Sequence, residues 1–202
     1  SVDEKSAALY AMATTGAPEA VVILTEAAAA AGYRWDQTGA VKALLLYAKR
    51  IGLAGDVKRM ERITSQVIEA SRTVETSNQR LAAMSVITTV KGSGALGMLL
   101  EAAGDPDAAI RGGALRLAAG IPGADATKKW ISRYAKVSPE AKPGMLFMLG
   151  ERGDELALPL IMKALDDPSR DVSGAALAAL ARLQGKKAVD PILAWIVRYD
   201  SE

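Results

Sequence analysis

Apolar residues recur along the chain at the three- and four-residue spacing of amphipathic helices. One such series consists of Val172, Ala176, Leu180 and Leu183. Glycines separate apolar stretches of about 11–18 residues, a usual length for a helix. Strand patterns are weak, and residues 86–90 form the one β-branched run. The pattern therefore predicts an all-α chain of successive short helices.

Proline marks the predicted starts of three helices. Asp105-Pro106, Ser138-Pro139 and Asp167-Pro168 each place an oxygen-bearing side chain directly before proline. Such a side chain accepts a free backbone N–H, and proline suits the first helical position, so we expect capped starts at all three. The starts are 33 and 29 residues apart. A nearly constant spacing of this kind indicates repeats.

A second recurrence supports the repeats. The segment Trp130–Tyr134 returns as Trp195–Tyr199 after 65 residues, about two periods. Because one helix hairpin cannot bury its apolar face alone, such pairs stack on their neighbours. The predicted fold is an α–α superhelix, or solenoid, of about six stacked antiparallel helix pairs in one domain, 1–202. The pairs are expected roughly at 3–33, 34–73, 74–104, 105–137, 138–166 and 167–199.

The helix-start segments resemble the HEAT-repeat family. Residues 105–117 resemble the first helix of a HEAT repeat, residues 167–183 repeat that pattern, and residues 149–155 resemble its inter-helix turn. The similarity is closest to the short bacterial HEAT-like repeats named after phycobilisome lyases. Pro143 departs from the pattern and is expected to bend or break the first helix of the fifth repeat. The resemblance implies a solenoid that binds other molecules along a curved surface, and it implies no bilin chemistry.

Composition excludes several kinds of active site. The chain has no Cys and no His, which rules out disulfides, thiolate or imidazole metal sites and His-based triads. The run Gly92–Gly97 fits the G-x-G-x-x-G dinucleotide fingerprint, but residues 112–122 contain no acidic residue to bind a ribose. We expect a turn there instead, with Gly92 ending one helix and Ser93 capping the next. The sequence predicts a protein that is not an enzyme, without catalytic residues, metal or cofactor.

The net charge of the chain limits the classes of binding partner that are expected. There are 25 Lys and Arg against 23 Asp and Glu, a net charge of +2, and a nucleic-acid binder usually shows a larger basic excess. We expect a protein or peptide partner, with a nucleic-acid-binding protein similar to the HEAT-like DNA glycosylases as the alternative. Lys42, Lys49 and Glu26 break the longest apolar runs, so no membrane span is expected. A monomeric, soluble bacterial protein is expected, either cytoplasmic or exported, and it is compatible with being part of a larger protein.

Basic residues form the candidate binding surface. Arg133, Lys163 and Arg198 occupy one position in the predicted second helices of repeats four, five and six. Stacked repeats would align them into a ladder on the concave face, able to receive an acidic peptide or a phosphate. Further charge comes from lysines near the starts of two of these helices, namely Lys128, Lys129, Lys186 and Lys187. The alternative is an ordinary solvated helix face.

Tryptophans divide between two expected roles. Trp130 and Trp195 occupy matching repeat positions among large aliphatic residues, which favours core packing. Trp35 lies in a polar connection between predicted repeats. It is a candidate interface residue, with packing against the core as the other interpretation.

Overall fold

The structure, a computed structural model, describes the backbone of residues 1–199 and the side chains of residues 1–197. Within this part of the chain all regular structure is helical and no strand occurs. The α-helices are α1 (Val2–Thr15), α2 (Ala20–Ala30), α3 (Ala40–Leu53), α4 (Val57–Ala70), α5 (Ser77–Lys91), α6 (Leu96–Ala102), α7 (Ala108–Ala119), α8 (Ala124–Tyr134), α9 (Lys142–Arg152), α10 (Leu158–Ala164), α11 (Arg170–Gln184) and α12 (Val189–Tyr199). The predicted all-α fold of helix pairs is confirmed.

Short 3-10 turns lead into several of these helices. They span Val74–Thr76, Gly92–Ala95, Pro139–Ala141, Glu155–Ala157 and Gly185–Ala188. The helices form two compact units, which are described separately: unit 1 contains Ser1–Ala95 and unit 2 begins at Leu96. The prediction of one domain with six repeats, at the boundaries given above, stays a prediction.

In unit 1 the central element is α3, which packs against α1, α2, α4 and α5. Its apolar face is buried over its whole length, and Leu44 and Tyr47 are fully enclosed. Leu24 from α2 and Met60 from α4 complete the same core. Burial of such side chains contributes about 1.5–3 kcal/mol each, which makes this helix the main support of the unit.

In unit 2 the corresponding role belongs to α9, which packs against α7, α8 and α11. The closest approach is at Gly150, where an added Cβ would lie 2.7 Å from the Cα of Ala179. Only a glycine allows α9 and α11 to approach this closely. The Trp130 side chain is fully buried, as predicted. Trp195 is partly exposed, and its indole Nε1 donates to the carbonyl of Leu165 at 2.8 Å.

The helix starts differ from prediction in their details. Asp105 does not cap α7: its Oδ1 accepts from the backbone N–H of Asp107 at 2.9 Å, and Asp107 caps the helix through the N–H of Ala109 at 2.8 Å. Asp167 likewise accepts from the N–H of Ser169 at 3.0 Å, one residue before α11 begins. The physical reason is that an Asp-Pro pair also favours an Asx turn, in which proline occupies the turn and not the helix.

The two prolines of the fifth pair also change the picture. Pro139 is the first residue of a 3-10 turn, as expected of a helix start, but Ser138 makes no side-chain capping bond. The expectation that Pro143 breaks a helix is wrong, because α9 begins only at Lys142 and Pro143 lies in its first turn. Proline is tolerated there because the N–H groups of a first turn have no acceptor within the helix.

The glycine-rich run at residue 92 is a turn between helices. Gly92 ends α5 with φ 54°, as predicted. Ser93 does not cap the next helix, since it lies within the 3-10 turn and α6 begins three residues later. The β-branched residues before the run belong to α5. The strand that a dinucleotide fold requires is therefore a helix here.

One helical stretch of the described chain, Val74–Ala102, is long and apolar enough to cross a membrane by length and composition alone. Its most apolar window has a mean hydropathy of 1.3, and 39% of that window is buried. Charged residues, among them Arg80 and Lys91, interrupt this stretch, so it does not stand out in the sequence as an uncharged run. The stretch is not one continuous α-helix, because Gly92 interrupts it with a positive φ. A single such segment is weak evidence for a membrane protein.

Candidate functional site

A groove in unit 2 collects part of the predicted basic surface. It has a volume of about 540 Å³ and lies between α6 and α8. Its lining residues are Leu100 and Glu101 of α6 and, from α8 and the residues after it, Lys128, Lys129, Ser132, Arg133 and Lys136. We call it the Arg133 groove. Four of its seven lining side chains are cationic and one is a carboxylate, so its field favours anionic ligands.

The amphipathic pattern of α8 aims these cations outward. Trp130 and Tyr134 are buried, which fixes the rotation of the helix about its axis. Lys129 and Arg133, four residues apart, are therefore held together on the face that borders the groove. The position of the cations is thus set by the burial of the aromatic side chains of α8. It does not depend on contacts among the cations.

Arg133 is the best-defined side chain of this groove. Its Nε is buried and has no hydrogen-bond partner among the described residues. Its guanidinium lies against Gly104, where an added Cβ would be 2.9 Å from Nη2. A buried donor without a partner is costly, so a small outward shift of the guanidinium that lets Nε bond a carboxylate or phosphate would relieve that cost. By contrast, Lys128 lies 3.5 Å from Asp125 in an exposed ion pair, which contributes little.

The structure does not bring the whole predicted ladder into one groove. Lys163 is exposed on α10, and Lys186 and Lys187 are exposed in the 3-10 turn before α12. None of these three lines the Arg133 groove. Arg198 is in α12, but its side chain lies outside the described residues. The ladder therefore stays a prediction.

Sequence reasoning missed four members of the groove. Lys136 follows Arg133 by three residues and Lys129 by seven, a spacing that places all three on one helix face. That signal was present in the sequence. Ser132, Leu100 and Glu101 carried no comparable signal, because only the packing of α8 beside α6 brings them together.

Trp35 is in the connector between α2 and α3, and 79% of its surface is exposed. The interpretation that it packs into the core is wrong. The connector is nevertheless well anchored. With the Gln79 amide in the orientation that satisfies both of its contacts, its oxygen accepts from the N–H of Trp35 at 2.8 Å and its nitrogen donates to the carbonyl of Thr76 at 3.1 Å. Gln66 donates to the Tyr33 hydroxyl at 2.6 Å.

Asp36 organises the other end of this connector. One carboxylate oxygen accepts from the N–H of Ala40 at 3.1 Å, and the other accepts from the N–H and the hydroxyl of Thr38. Loss of hydration acts to raise the pKa of Asp36, but these hydrogen bonds together lower it below its usual value. The Asp36 carboxylate thus stabilises the connector and the start of α3.

Arg152, at the end of α9, is a structural cation. Its five N–H groups all donate: to the carbonyls of Ala118, Ile121 and Gly123 and twice to the hydroxyl of Thr127. Burial lowers the pKa of the guanidinium, against the opposing effect of Asp154. These bonds fasten α9 to the connector between α7 and α8. They leave no donor on Arg152 for an external anion.

Comparison with known families places this region. Residues 127–201 match the family model of HEAT repeats. The matched range includes most of α8, and with it Lys128, Arg133 and Lys136. No curated protein matches the chain. HEAT repeats generally mediate protein interactions and are typically non-enzymatic.

Proposed function

We propose that this HEAT-repeat protein is a non-enzymatic scaffold module that binds a protein or peptide, and that the Arg133 groove receives an acidic segment of that partner. The observation that carries the proposal is the buried, unpartnered Nε of Arg133 in a groove lined mainly by cations. Arg pairs with carboxylates through two parallel hydrogen bonds, which gives direction as well as affinity.

The helix pairs supply the rigidity that such a site needs. Since Trp130 and Tyr134 are buried, α8 presents Lys129 and Arg133 without first having to order itself. A preorganised surface loses less entropy on binding. Lys163, Lys186, Lys187 and Arg198 are proposed as secondary contacts for a longer acidic segment.

The side chains of the groove favour binding over catalysis. It contains one carboxylate, Glu101, without a second carboxylate for general acid–base catalysis, and its one hydroxyl, Ser132, forms no hydrogen bond to a lysine among the described residues. Within the described residues no group of three or more metal-ligating side chains could hold a metal ion. Recognition of an anionic group is the activity that these side chains support.

A photo-cross-linking experiment tests the proposal. A photoreactive amino acid replaces Ser132, which lines the groove, and in a matched control it replaces Asp171, which is exposed on α11 outside the groove. In lysate of the source cells we expect one discrete protein adduct at position 132, identified by mass spectrometry, and none at 171. The same adduct should disappear when Arg133→Gln is added.

Other outcomes contradict the proposal. An adduct at position 132 that survives Arg133→Gln would show that the cationic groove does not recognise the partner. A nuclease-sensitive adduct would favour the nucleic-acid alternative, as would binding to duplex DNA that falls steeply with salt. Absence of any adduct specific to position 132 would remove the groove as the binding site.

A further inference from the structure

Unit 1 contains a second groove, of different composition. It has a volume of about 520 Å³, within the range of typical ligand sites, and lies between α1, α3, α5 and the connector that carries Trp35. Its wall is mainly aliphatic, formed by Val41, Leu45, Leu46, Ala82 and Val86. We call it the Trp35 groove. It uses the first helices of the pairs, whereas the predicted basic ladder uses the second helices.

Two large aromatic side chains stand on its rim. Trp35 is 79% exposed and Tyr10, from α1, is 60% exposed. Trp and Tyr are the residues most often found at the energetic centre of protein interfaces. An exposed tryptophan beside an aliphatic wall offers a partner side chain apolar surface on both sides.

The rim is held in place before any partner arrives. Gln79 holds the backbone of Trp35, and Asp36 caps the start of α3 directly beyond it. Tyr33 adopts φ 54°, an uncommon conformation for a residue other than glycine. Its hydroxyl bond to Gln66 helps to maintain that conformation. A prearranged connector of this kind loses little conformational entropy when it binds.

The charged side chains of the Trp35 groove indicate the charge of its partner. The lining includes three cations, Arg34, Lys42 and Lys49, and a single carboxylate, Asp36. Asp36 is occupied by its three hydrogen bonds, and Arg34 lies 3.5 Å from Glu75. Lys42 and Lys49 are exposed and form no ion pair among the described residues. The groove thus combines an apolar wall with a rim of unneutralised positive charge.

This combination argues against a symmetric pairing of two copies through the same face. Two such rims would bring Lys42 and Lys49 of each copy together, and like charges across an interface are repulsive. An acidic segment with a large apolar side chain complements both the rim and the wall.

We propose that the Trp35 groove is a docking surface for a segment of a partner protein in which a large aliphatic or aromatic residue is flanked by Asp or Glu. The apolar side chain lies between Trp35 and the aliphatic wall, and the acidic residues face Lys42 and Lys49. The site lies within unit 1, so this proposal can be tested independently of the proposal for the Arg133 groove.

A displayed library of random peptides, selected on the full chain, tests this docking surface. We expect the enriched peptides to carry an apolar anchor with acidic neighbours. Measured by fluorescence anisotropy, their affinity should fall about thirtyfold with Trp35→Ala, the usual effect of removing an interface hot spot. The double variant Lys42→Glu with Lys49→Glu should weaken binding about tenfold, with the effect larger at low salt.

Matched variants separate the groove from the rest of the surface. Val74→Ala removes an equally exposed apolar side chain outside the groove, and Lys58→Glu reverses an exposed lysine on α4. Both should leave peptide affinity unchanged. Arg133→Gln should leave it unchanged too, which distinguishes this site from the proposed function in unit 2.

Three results would overturn the proposal. The first is enrichment of neutral or basic peptides, or of none. The second is equal affinity for the wild type and Trp35→Ala, with both proteins shown to be folded by circular dichroism. The third is concentration-dependent dimerisation that Trp35→Ala abolishes, which would make a second copy the occupant.

Discussion

The two units fasten the connectors between their helices with opposite charges. In unit 1 a carboxylate, Asp36, accepts from N–H groups two and four residues further along the chain, in the connector and at the first residue of α3. In unit 2 a guanidinium, Arg152, reaches from α9 to carbonyls 29 to 34 residues earlier. The short-range hydrogen bonds of Asp36 leave the neighbouring Trp35 side chain exposed to solvent. The long-range hydrogen bonds of Arg152 join α9 to the connector between α7 and α8, and they occupy every N–H donor of its guanidinium.

The two units also differ at one close-packed glycine in each. At Gly150 in unit 2 an added Cβ would meet backbone, the Cα of Ala179 at 2.7 Å. At Gly52 in unit 1 it would meet side chains, the Cγ of Met60 at 2.9 Å and Val90 at 3.0 Å. The buried Met60 and the β-branched Val90 can shift by small side-chain adjustments, whereas the backbone of α11 can move away only as a whole helix. The contact at Gly150 is thus the less adjustable of the two.

The largest expected effect is that of Gly150→Ala. We expect it to lower the free energy of unfolding by about 3 kcal/mol, because α9 and α11 must separate, while Gly52→Ala should cost about 1 kcal/mol. Urea titration followed by circular dichroism measures both. Gly174→Ala, at an open helical position in α11, is the control and should be neutral or slightly stabilising. Equal costs at positions 52 and 150 would contradict the distinction between side-chain and backbone contacts at these two glycines.

Arg152→Ala comes next. We expect a loss of about 2 kcal/mol, since three backbone carbonyls and the Thr127 hydroxyl lose a charged donor. The matched control is Arg182→Ala, which removes an exposed pair with Glu151 and a stacking contact on Phe147 at 4.9 Å. That change should cost under about 1 kcal/mol. Hydrogen exchange should show the Arg152→Ala effect at the α7–α8 connector, and unchanged protection there would refute the role of the guanidinium.

The smallest effect is expected at the local clamp in unit 1. Asp36→Ala should cost about 1 kcal/mol at neutral pH, typical of a lost cap. Because the pKa of Asp36 is lowered on folding, its contribution is present above the unfolded pKa, about 3.9, and is lost as pH falls through the folded value. Urea titrations at neutral pH and below about pH 4 should therefore show the gap from wild type narrowing in acid. A gap that is constant or widens on acidification would contradict this assignment.

Sequence patterns predicted the fold because helical periodicity and repeat spacing are local properties. They misplaced the start of α7 by two residues, since Asp105-Pro106 is equally suited to an Asx turn and to a cap. Part of the Arg133 groove was predictable, because Lys129 and Arg133 share a helix face. The Trp35 groove was not, because Tyr10 and Val86 meet there only through the packing of helices far apart in sequence.

The long reach of Arg152 has a consequence for biosynthesis. The carbonyls of Ala118, Ile121 and Gly123 leave the ribosome well before the side chain that satisfies them. The connector between α7 and α8 therefore lacks these hydrogen bonds until α9 has been made and docked. A nascent chain arrested within the fifth pair would expose an incomplete end to chaperones and proteases, whereas the Asp36 clamp closes as soon as its own connector and the first turn of α3 emerge.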